Sequence, residues 1–318
     1  NLRQYQTDLV TEINDELRYF SKAPLVVLPT GGGKTWVAAQ VTHDAVSEGK
    51  SVWFLAHRQE LIAQASKAFS LFGIRHGLLK AGVEADTSQR VQIASVQTLV
   101  RRLKSGYPPP DLIITDECHH ATAKSYTQIF AAFPEASLLG VTATPCRMNG
   151  AGLGDVFDSM LLGPSSQWLT DEGFLSPARD YAPPQKADLD GIHTRAGDYV
   201  TSELEEAMDD GEITGDAVSH YQRLCDGVPM LVFCVSVAHA HHVAEDYARA
   251  GYRAAAVDGK LSDEDRADRI SGLGTGKYQV ITSCDLIGEG LDVPIVSAVQ
   301  LLRPTQSPAL HLQQIGRG

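Results

Sequence analysis

Two short runs of this chain carry side chains whose types and spacing suit phosphate chemistry. The first is LPTGGGKT, Leu28 to Thr35. It closes an apolar run and precedes a segment with helical spacing, which is the setting a phosphate-binding loop needs. Thr30 leads into Gly31, Gly32 and Gly33, whose backbone N–H groups can turn inward around phosphates. The helix N-terminus behind them adds a positive end. Lys34 is in reach of the β- and γ-phosphates of ATP, and the Thr35 hydroxyl suits Mg2+. The strict pattern has glycine where this chain has Leu28, a departure that a turn made by Pro29 to Gly31 accommodates. Another glycine-lysine run, GLGTGKY at 272–278, has Tyr278 where a hydroxyl is required. It precedes a strand instead of following one, and is expected to be an ordinary loop.

The second run is DLIITDECHH at 111–120. An apolar strand ends in two carboxylates, at the strand end where ligands collect in open α/β sheets. Asp116 suits Mg2+ held through its water shell. Glu117 suits the polarising of an attacking water, the base that ATP hydrolysis needs. His119 is either a structural histidine or one that couples the ATP site to a facing domain.

Strands must bring these runs together. PLVVLP (24–29), SVWFLA (51–56), VQIAS (91–95), DLIITDE (111–117) and SLLGVTAT (137–144) read as buried strands. Helical spacing follows at 36–48, at 59–71 and after Ser95. Such alternation predicts a mostly parallel, doubly wound sheet. Residues 176–198 are rich in Pro, Asp and Gly, and the acidic run 203–212 predicts a solvated helix and turn. Alternation then restarts with MLVFCVS (230–236), a helix from AHAHHVAEDYARAG, YRAAAVDG (252–259), a helix near 263–272, YQVITS (278–283) and SAVQLLRP (297–304). Two tandem domains of similar architecture are expected, 1–172 and 173–318.

Composition agrees. The chain has 318 residues, 43% hydrophobic and 21% charged, ordinary values for a soluble globular protein. No run approaches the roughly 18–20 apolar residues that span a bilayer, and no secretory leader opens the chain. A cytoplasmic protein with no membrane partner is therefore expected. The chain starts at Asn1 without Met, so an N-terminal segment is expected to be missing. Five cysteines form no C-x-x-C pair and read as buried, reduced thiols. The net charge of −12 is uneven: residues 1–170 hold 15 basic and 15 acidic side chains, and 171–318 hold 12 and 24. A uniformly basic nucleic-acid binder is excluded, so any such site must be a local groove. His239, His241 and His242 cluster on a predicted helix without a fitting cysteine or carboxylate pattern, and read as a helix face rather than a metal site.

The run Asp116-Glu117-Cys118-His119 resembles the DExH box of superfamily 2 helicases and translocases. Further motifs follow in that family's order over nearly the whole chain. LRQYQ (2–6) resembles the adenine-recognising segment, which implies that Arg3 and Gln6 contact the base. LAHRQELIAQ (55–64) and ASVQTL (94–99) resemble strand-contacting motifs. VTATPCR (141–147) resembles the Ser/Thr-Ala-Thr coupling motif, with Thr142 and Thr144 as hydroxyl carriers beside His119. WLTDEGFLSP (168–177) resembles the segment that crosses between lobes. LVFCVSV (231–237) resembles the motif opening the second lobe. TSCDLIGEGLDVP (282–294) resembles the motif touching both nucleic acid and ATP, which carries Gly288, Glu289, Gly290 and Asp292. QQIGRG (313–318) resembles the start of the arginine-finger motif, with Gln313 and Arg317 matching and a second arginine expected just past Gly318.

The resemblance implies two RecA-like domains, use of ATP and Mg2+, and nucleic acid as partner. LRQYQ and DECHH lean toward DNA-type members, such as the motors of type I restriction enzymes, and so to DNA over RNA. His57, Arg58, Ser95, Gln97 and Thr98 in the first lobe, with Ser236 and Thr282 in the second, are candidates for a phosphate track; ordinary loop polar groups are the alternative. Phosphoryl transfer needs the charge on the leaving phosphate neutralised. Lys34 and Mg2+ would do part of this from one lobe and Arg317 from the other, so that ATP favours a closed state. The expected function is an ATP-dependent helicase or translocase. A duplex translocase without strand separation, and an ATP-switched sensor or clamp, are the alternatives.

Overall fold

The computed structural model describes residues 2–146, 151–182, 189–195, 198–208, 211–284 and 295–317. Its described residues fall into two compact units, one through Pro177 and one from Ala178 on.

The first unit opens with α1 (Gln4–Asp15), which runs into a π turn at Glu16–Phe20. Then come β1 (Pro24–Val27), α2 (Lys34–Ser47), β2 (Val52–Ala56), α3 (Gln59–Leu71), β3 (His76–Leu79), β4 (Val91–Ser95) and α4 (Val96–Arg102). β5 (Leu112–Asp116), a 3-10 turn at Cys118–His120, α5 (Lys124–Ala132), β6 (Ser137–Thr142), β7 (Ser159–Leu162) and α6 (Ser166–Asp171) complete it. The strands form one sheet in the order β3-β4-β2-β5-β6-β1-β7, parallel throughout.

Burial on both faces explains the near-continuous apolar strands. Along β2, Val52, Phe54 and Ala56 face a core shared with α1, α2 and α3. Trp53 and Leu55 face the opposite core, with Leu99 of α4 and Tyr126 and Ile129 of α5. The period-2 alternation of a strand thus feeds two cores, and neither face is left polar. β3 and β7 were not expected as strands. HGLL and SMLL are short edge segments with only half of their residues tucked in, too weak a pattern to stand out.

The second unit begins with a small antiparallel ribbon, β8 (Thr194–Arg195) with β9 (Asp198–Tyr199). It continues through α7 (Thr201–Met208), α8 (Gly211–Cys225), β10 (Met230–Phe233), α9 (Val237–Arg249), β11 (Ala254–Val257), α10 (Asp263–Thr275), β12 (Val280–Ser283), β13 (Ala298–Leu301) and α11 (Pro308–Ile315). Its sheet, β11-β12-β10-β13, is again parallel. Serine caps start several helices: Ser236 Oγ accepts from His239 N at 3.0 Å, and Ser262 Oγ from Asp265 N at 3.0 Å.

Four expectations need correction. GLGTGKY is not a loop: 272–275 form the last turn of α10, and Gly276 ends it at φ 73°. The acidic α7 is not simply solvated, because Leu204 and Met208, four apart, bury into the second unit's core. Of the cysteines, Cys118 and Cys234 are buried, whereas Cys146, Cys225 and Cys284 are partly exposed. Residues 168–177 belong to the first unit, where they pack against α1 rather than forming only a crossing. The histidines of α9 diverge. His239 is fully buried, and His241 Nε2 lies 2.8 Å from Asp258 Oδ2, a contact that draws the Asp258 carboxyl below its ordinary range. No helix among the described residues is long and apolar enough to cross a membrane.

Candidate active site

Register gathers the chemistry at one edge of the first sheet. Val27 of β1 pairs with Thr142 of β6, and Val141 of β6 pairs with Asp116 of β5. On the other side Leu55 of β2 pairs with Thr115, and Ala56 pairs with Ser95 of β4. All five strands are parallel, so the loops after them emerge together. The glycine loop follows β1, Thr142 and Thr144 end β6, and Asp116 and Glu117 end β5. His57 and Arg58 follow β2, and Ser95, Gln97 and Thr98 stand where β4 turns into α4.

The glycine loop is built by a turn in which Gly32 N donates to Pro29 O at 2.9 Å. Leu28 still pairs as strand, its N–H donating to Thr142 O at 2.9 Å, and its side chain is fully buried. That is why a core residue stands where other phosphate loops have glycine. Gly31 and Gly33 have φ values of 77° and 90°, the left-handed region that glycine enters without cost. Gly33 is the N-cap of α2, so Lys34 and Thr35 begin the helix. Thr30 is partly buried and Gly31 exposed.

Helix α1 braces this loop from below. Tyr5 Oη donates to Gly32 O at 2.8 Å, and Gln6 Nε2 donates to the same carbonyl at 3.1 Å. Gln6 Oε1 accepts from Arg3 N at 2.9 Å, which also caps the helix. The carboxamide expected to read adenine is thus engaged with the loop backbone. Arg3 is exposed, its guanidinium 4.5 Å from the centre of the Phe174 ring. Tyr5 contacts Trp168 and Phe174 at ring separations of 5.8 and 5.3 Å. Tyr5, Trp168, Phe174 and His120 are site neighbours that sequence reasoning did not single out. In the run LRQYQ, Tyr5 stands between Arg3 and Gln6 with no role that the resemblance assigns. Loss of its hydroxyl in Tyr5→Phe is expected to remove about 1 kcal/mol, raising KM for ATP several-fold with kcat unchanged. A steady-state titration showing unchanged KM would remove this bracing role.

At the end of β5, Glu117 is the one non-glycine among the described residues with positive φ, 48°. Left-handed backbone costs a side-chain-bearing residue about 1–2 kcal/mol. Its carboxylate is buried, with Oε1 4.0 Å from Lys34 Nζ and Oε2 3.5 Å from His119 Nδ1. Oε2 makes no hydrogen bond. Asp116 Oδ1 accepts from Glu117 N at 2.9 Å, which fixes the turn between the two carboxylates. His119 is buried, and its Nδ1 also lies 3.4 Å from Thr142 Oγ1. Thr142 Oγ1 donates to Thr144 O at 3.0 Å and accepts from Thr144 N at 3.1 Å. Burial pushes the Cys118 thiol well above its ordinary value, and the neighbouring Glu117 and Asp116 carboxylates add to this. The thiol stays protonated and is no nucleophile. Asp116 and Thr35 offer only oxygen donors, the set that a hard cation such as Mg2+ takes.

Other expected residues are placed less openly. His57 and Arg58 are partly buried, with Arg58 Nε donating to His57 Nε2 at 3.4 Å. Ser95 is buried and donates to Gln97 Oε1 at 3.0 Å; Gln97 is exposed and Thr98 partly so. In the second unit, Ser236 caps α9 and donates to Glu205. Thr282 is fully buried and donates to Ala240 O at 2.6 Å, so β12 does not present its hydroxyl to a surface. Gln313 is buried in α11, and Arg317 follows that helix partly buried. Arg147, Gly288, Glu289, Gly290, Asp292 and Gly318 lie outside the described residues.

A glycine loop after the first strand, a lysine heading the next helix and an Asp-Glu pair on a parallel strand define a P-loop NTPase. With two such parallel sheets in tandem, the fold is a pair of RecA-like domains. Comparison with known proteins agrees. Residues 1–147 match the family described as type III restriction enzyme, res subunit, and residues 217–318 match the helicase conserved C-terminal domain. The chain is 33% identical to a 51.5 kDa protein of a Lactococcus phage over 91% of its own length and 61% of the relative's. It is 29% identical to IRC3 of Saccharomyces cerevisiae, named as an ATP-dependent helicase, over its full length and 49% of the relative's. The chain therefore spans about half to three-fifths of these relatives. Dbp5 of Saccharomyces cerevisiae, solved bound to RNA and ADP BeF3, shares the fold with a TM-score of 0.64 at 15% identity, covering 100% of this chain and 84% of that one. This chain belongs to the superfamily 2 DExH-box helicases and translocases, a family of ATP-hydrolysing enzymes.

Proposed function

We propose that this chain is an ATP-driven motor that moves along nucleic acid, with DNA the favoured track. The observation that carries this reading is the buried approach of Glu117 to Lys34, 4.0 Å apart at the edge where the glycine loop emerges. Lys34 and the loop amides hold the β- and γ-phosphates. Glu117 takes the proton of the attacking water, and its strained backbone holds the carboxylate toward that water. Thr35 and Asp116 would hold Mg2+, which would supply neutralising charge on the phosphates. Arg3 and Gln6 are assigned to the adenine side, Gln6 acting largely through the loop it holds. Gly290 and Asp292 are assigned to ATP by motif alone, as are Gln313 and Arg317 to the departing phosphate. His119, Thr142 and Thr144 form the coupling cluster.

Nucleic-acid contact is assigned to His57, Arg58, Ser95, Gln97 and Thr98, and to Ser236. Their loops emerge at the same sheet edge as the ATP site or, for Ser236, at a helix start. Thr282 is assigned an indirect role in supporting α9. The similarity of LRQYQ and DECHH to DNA-type members supports DNA over RNA. Five free cysteines support a reducing, cytoplasmic compartment, and accessory domains or protein partners complete the working enzyme.

ATPase turnover of the full-length protein, measured with and without single-stranded DNA, duplex DNA and RNA, tests the reading. Stimulation by DNA above RNA is the expected result. No stimulation by any of the three removes the motor reading in favour of an ATP-switched clamp. Strand displacement beside triplex displacement then separates unwinding from translocation on duplex.

A further inference from the structure

We infer that His120 is a positioning residue linking the strand-contacting loop after β2 to the water-activating Glu117. The inference rests on the motor reading above. β5 lies between β2 and β6 in the sheet, so the turn after β5 sits between the candidate nucleic-acid loop and the coupling threonines. Contacts across that turn are continuous. Arg58 Nε donates to His57 Nε2 at 3.4 Å. The His57 and His120 rings lie 4.6 Å apart, edge to face at 68°. The His120 and His119 rings lie 4.1 Å apart at 46°. His119 Nδ1 then reaches Glu117 Oε2 at 3.5 Å and Thr142 Oγ1 at 3.4 Å.

Rigidity gives this series its physical content. Imidazole rings are flat and have no soft internal torsion, so a ring in contact on two sides passes a shift on one side to the other. The His119 side chain has no exposed surface, which leaves it one seat. His120 is only partly buried, and the 3-10 turn at Cys118–His120 sets its ring between the two others. A strand that moves His57 or Arg58 therefore acts on His120, and through His119 on the carboxylate that must face the water. Coupling between sites of this kind changes a response by roughly 5- to 150-fold. What His120 contributes is alignment and not proton transfer.

Full-length wild type, His120→Ala and His120→Phe are compared for ATPase rate, KM for ATP and melting temperature, with and without oligothymidylate and a blunt DNA duplex. For His120→Ala the unstimulated kcat and the KM for ATP stay at wild-type values, and maximal stimulation falls about tenfold. His120→Phe, which keeps a flat ring between His57 and His119, restores most of the stimulation. Equal stimulation of wild type and His120→Ala overturns the inference and leaves the motor reading standing. A fall in unstimulated rate that tracks a fall in melting temperature also overturns it, because the ring would then be only packing. A wild type that neither DNA stimulates overturns the motor reading, and this inference with it.

Discussion

Glu117→Gln lowers ATP turnover by about a thousandfold, within the range a general base contributes, while ATP binding stays within a few-fold of wild type. Glutamine keeps the shape and the hydrogen-bonding reach of the side chain but cannot accept the proton of water. The geometry isolates this effect. Oε1 faces Lys34 at 4.0 Å, and Oε2 faces His119 at 3.5 Å without a hydrogen bond of its own. Removing the charge takes away a buried partner of Lys34, which changes how the lysine meets phosphate without removing it. The left-handed backbone at φ 48° is kept, since Gln strains there as Glu does. Under the motor reading, ATP that binds without being hydrolysed holds the enzyme in its closed state and prolongs its grip on nucleic acid. Binding of a fluorescent ATP analogue, beside single-turnover hydrolysis, makes the measurement. A variant that hydrolyses ATP at the wild-type rate shows that another group activates the water.

Gly33→Ala is expected to raise KM for ATP at least tenfold and to lower the melting temperature by several degrees, about 2 kcal/mol of stability at this chain length. Two causes add. At φ 90° a Cβ is strained whatever the space around it. It would also stand 2.2 Å from Gln6 Nε2. The amide must then leave Gly32 O, and the loop loses one of its two braces from α1. The double variant Gly33→Ala with Gln6→Ala separates the causes. It clears the collision but keeps the backbone strain, so it should recover part of the stability and little of the ATP affinity. Wild-type KM and melting temperature in Gly33→Ala would mean that the loop relaxes freely and that its left-handed turn is not needed for phosphate.

Much of this site was legible because local chemistry specifies it. Glycines followed by Lys34 and Thr35 need only a strand before and a helix after. Asp116 and Glu117 need only the apolar strand that carries them. The five strands expected in the first unit lie where they were placed, because they are buried and mostly apolar, with only a few polar residues such as Gln92 of β4 and Thr115 of β5 among them. α8 was not among the expected helices because GEITGDAVSHYQRLC starts at the end of the acidic run and contains two glycines, residues that favour helix poorly. α7 looked solvated because its acidic residues outnumber the two apolar ones that anchor it.

The sequence by itself determined that the chain holds a phosphate loop, a paired carboxylate strand end and two alternating α/β units. These follow from residue type and from periods of 2 and 3.6, which are local properties. Only the tertiary structure decided what each group touches. Gln6, a base-reading candidate, is also a brace of Gly32 O, and the hydroxyl of Thr282, a track candidate, is buried in a bond to Ala240 O of α9. His57, distant along the chain, came to lie in one row with the consecutive His119 and His120. Sheet order and register set such contacts, and no local pattern encodes which strand becomes whose neighbour. The physical reason is that parallel pairing joins segments distant in sequence, so the neighbours of a strand end are chosen by the whole fold.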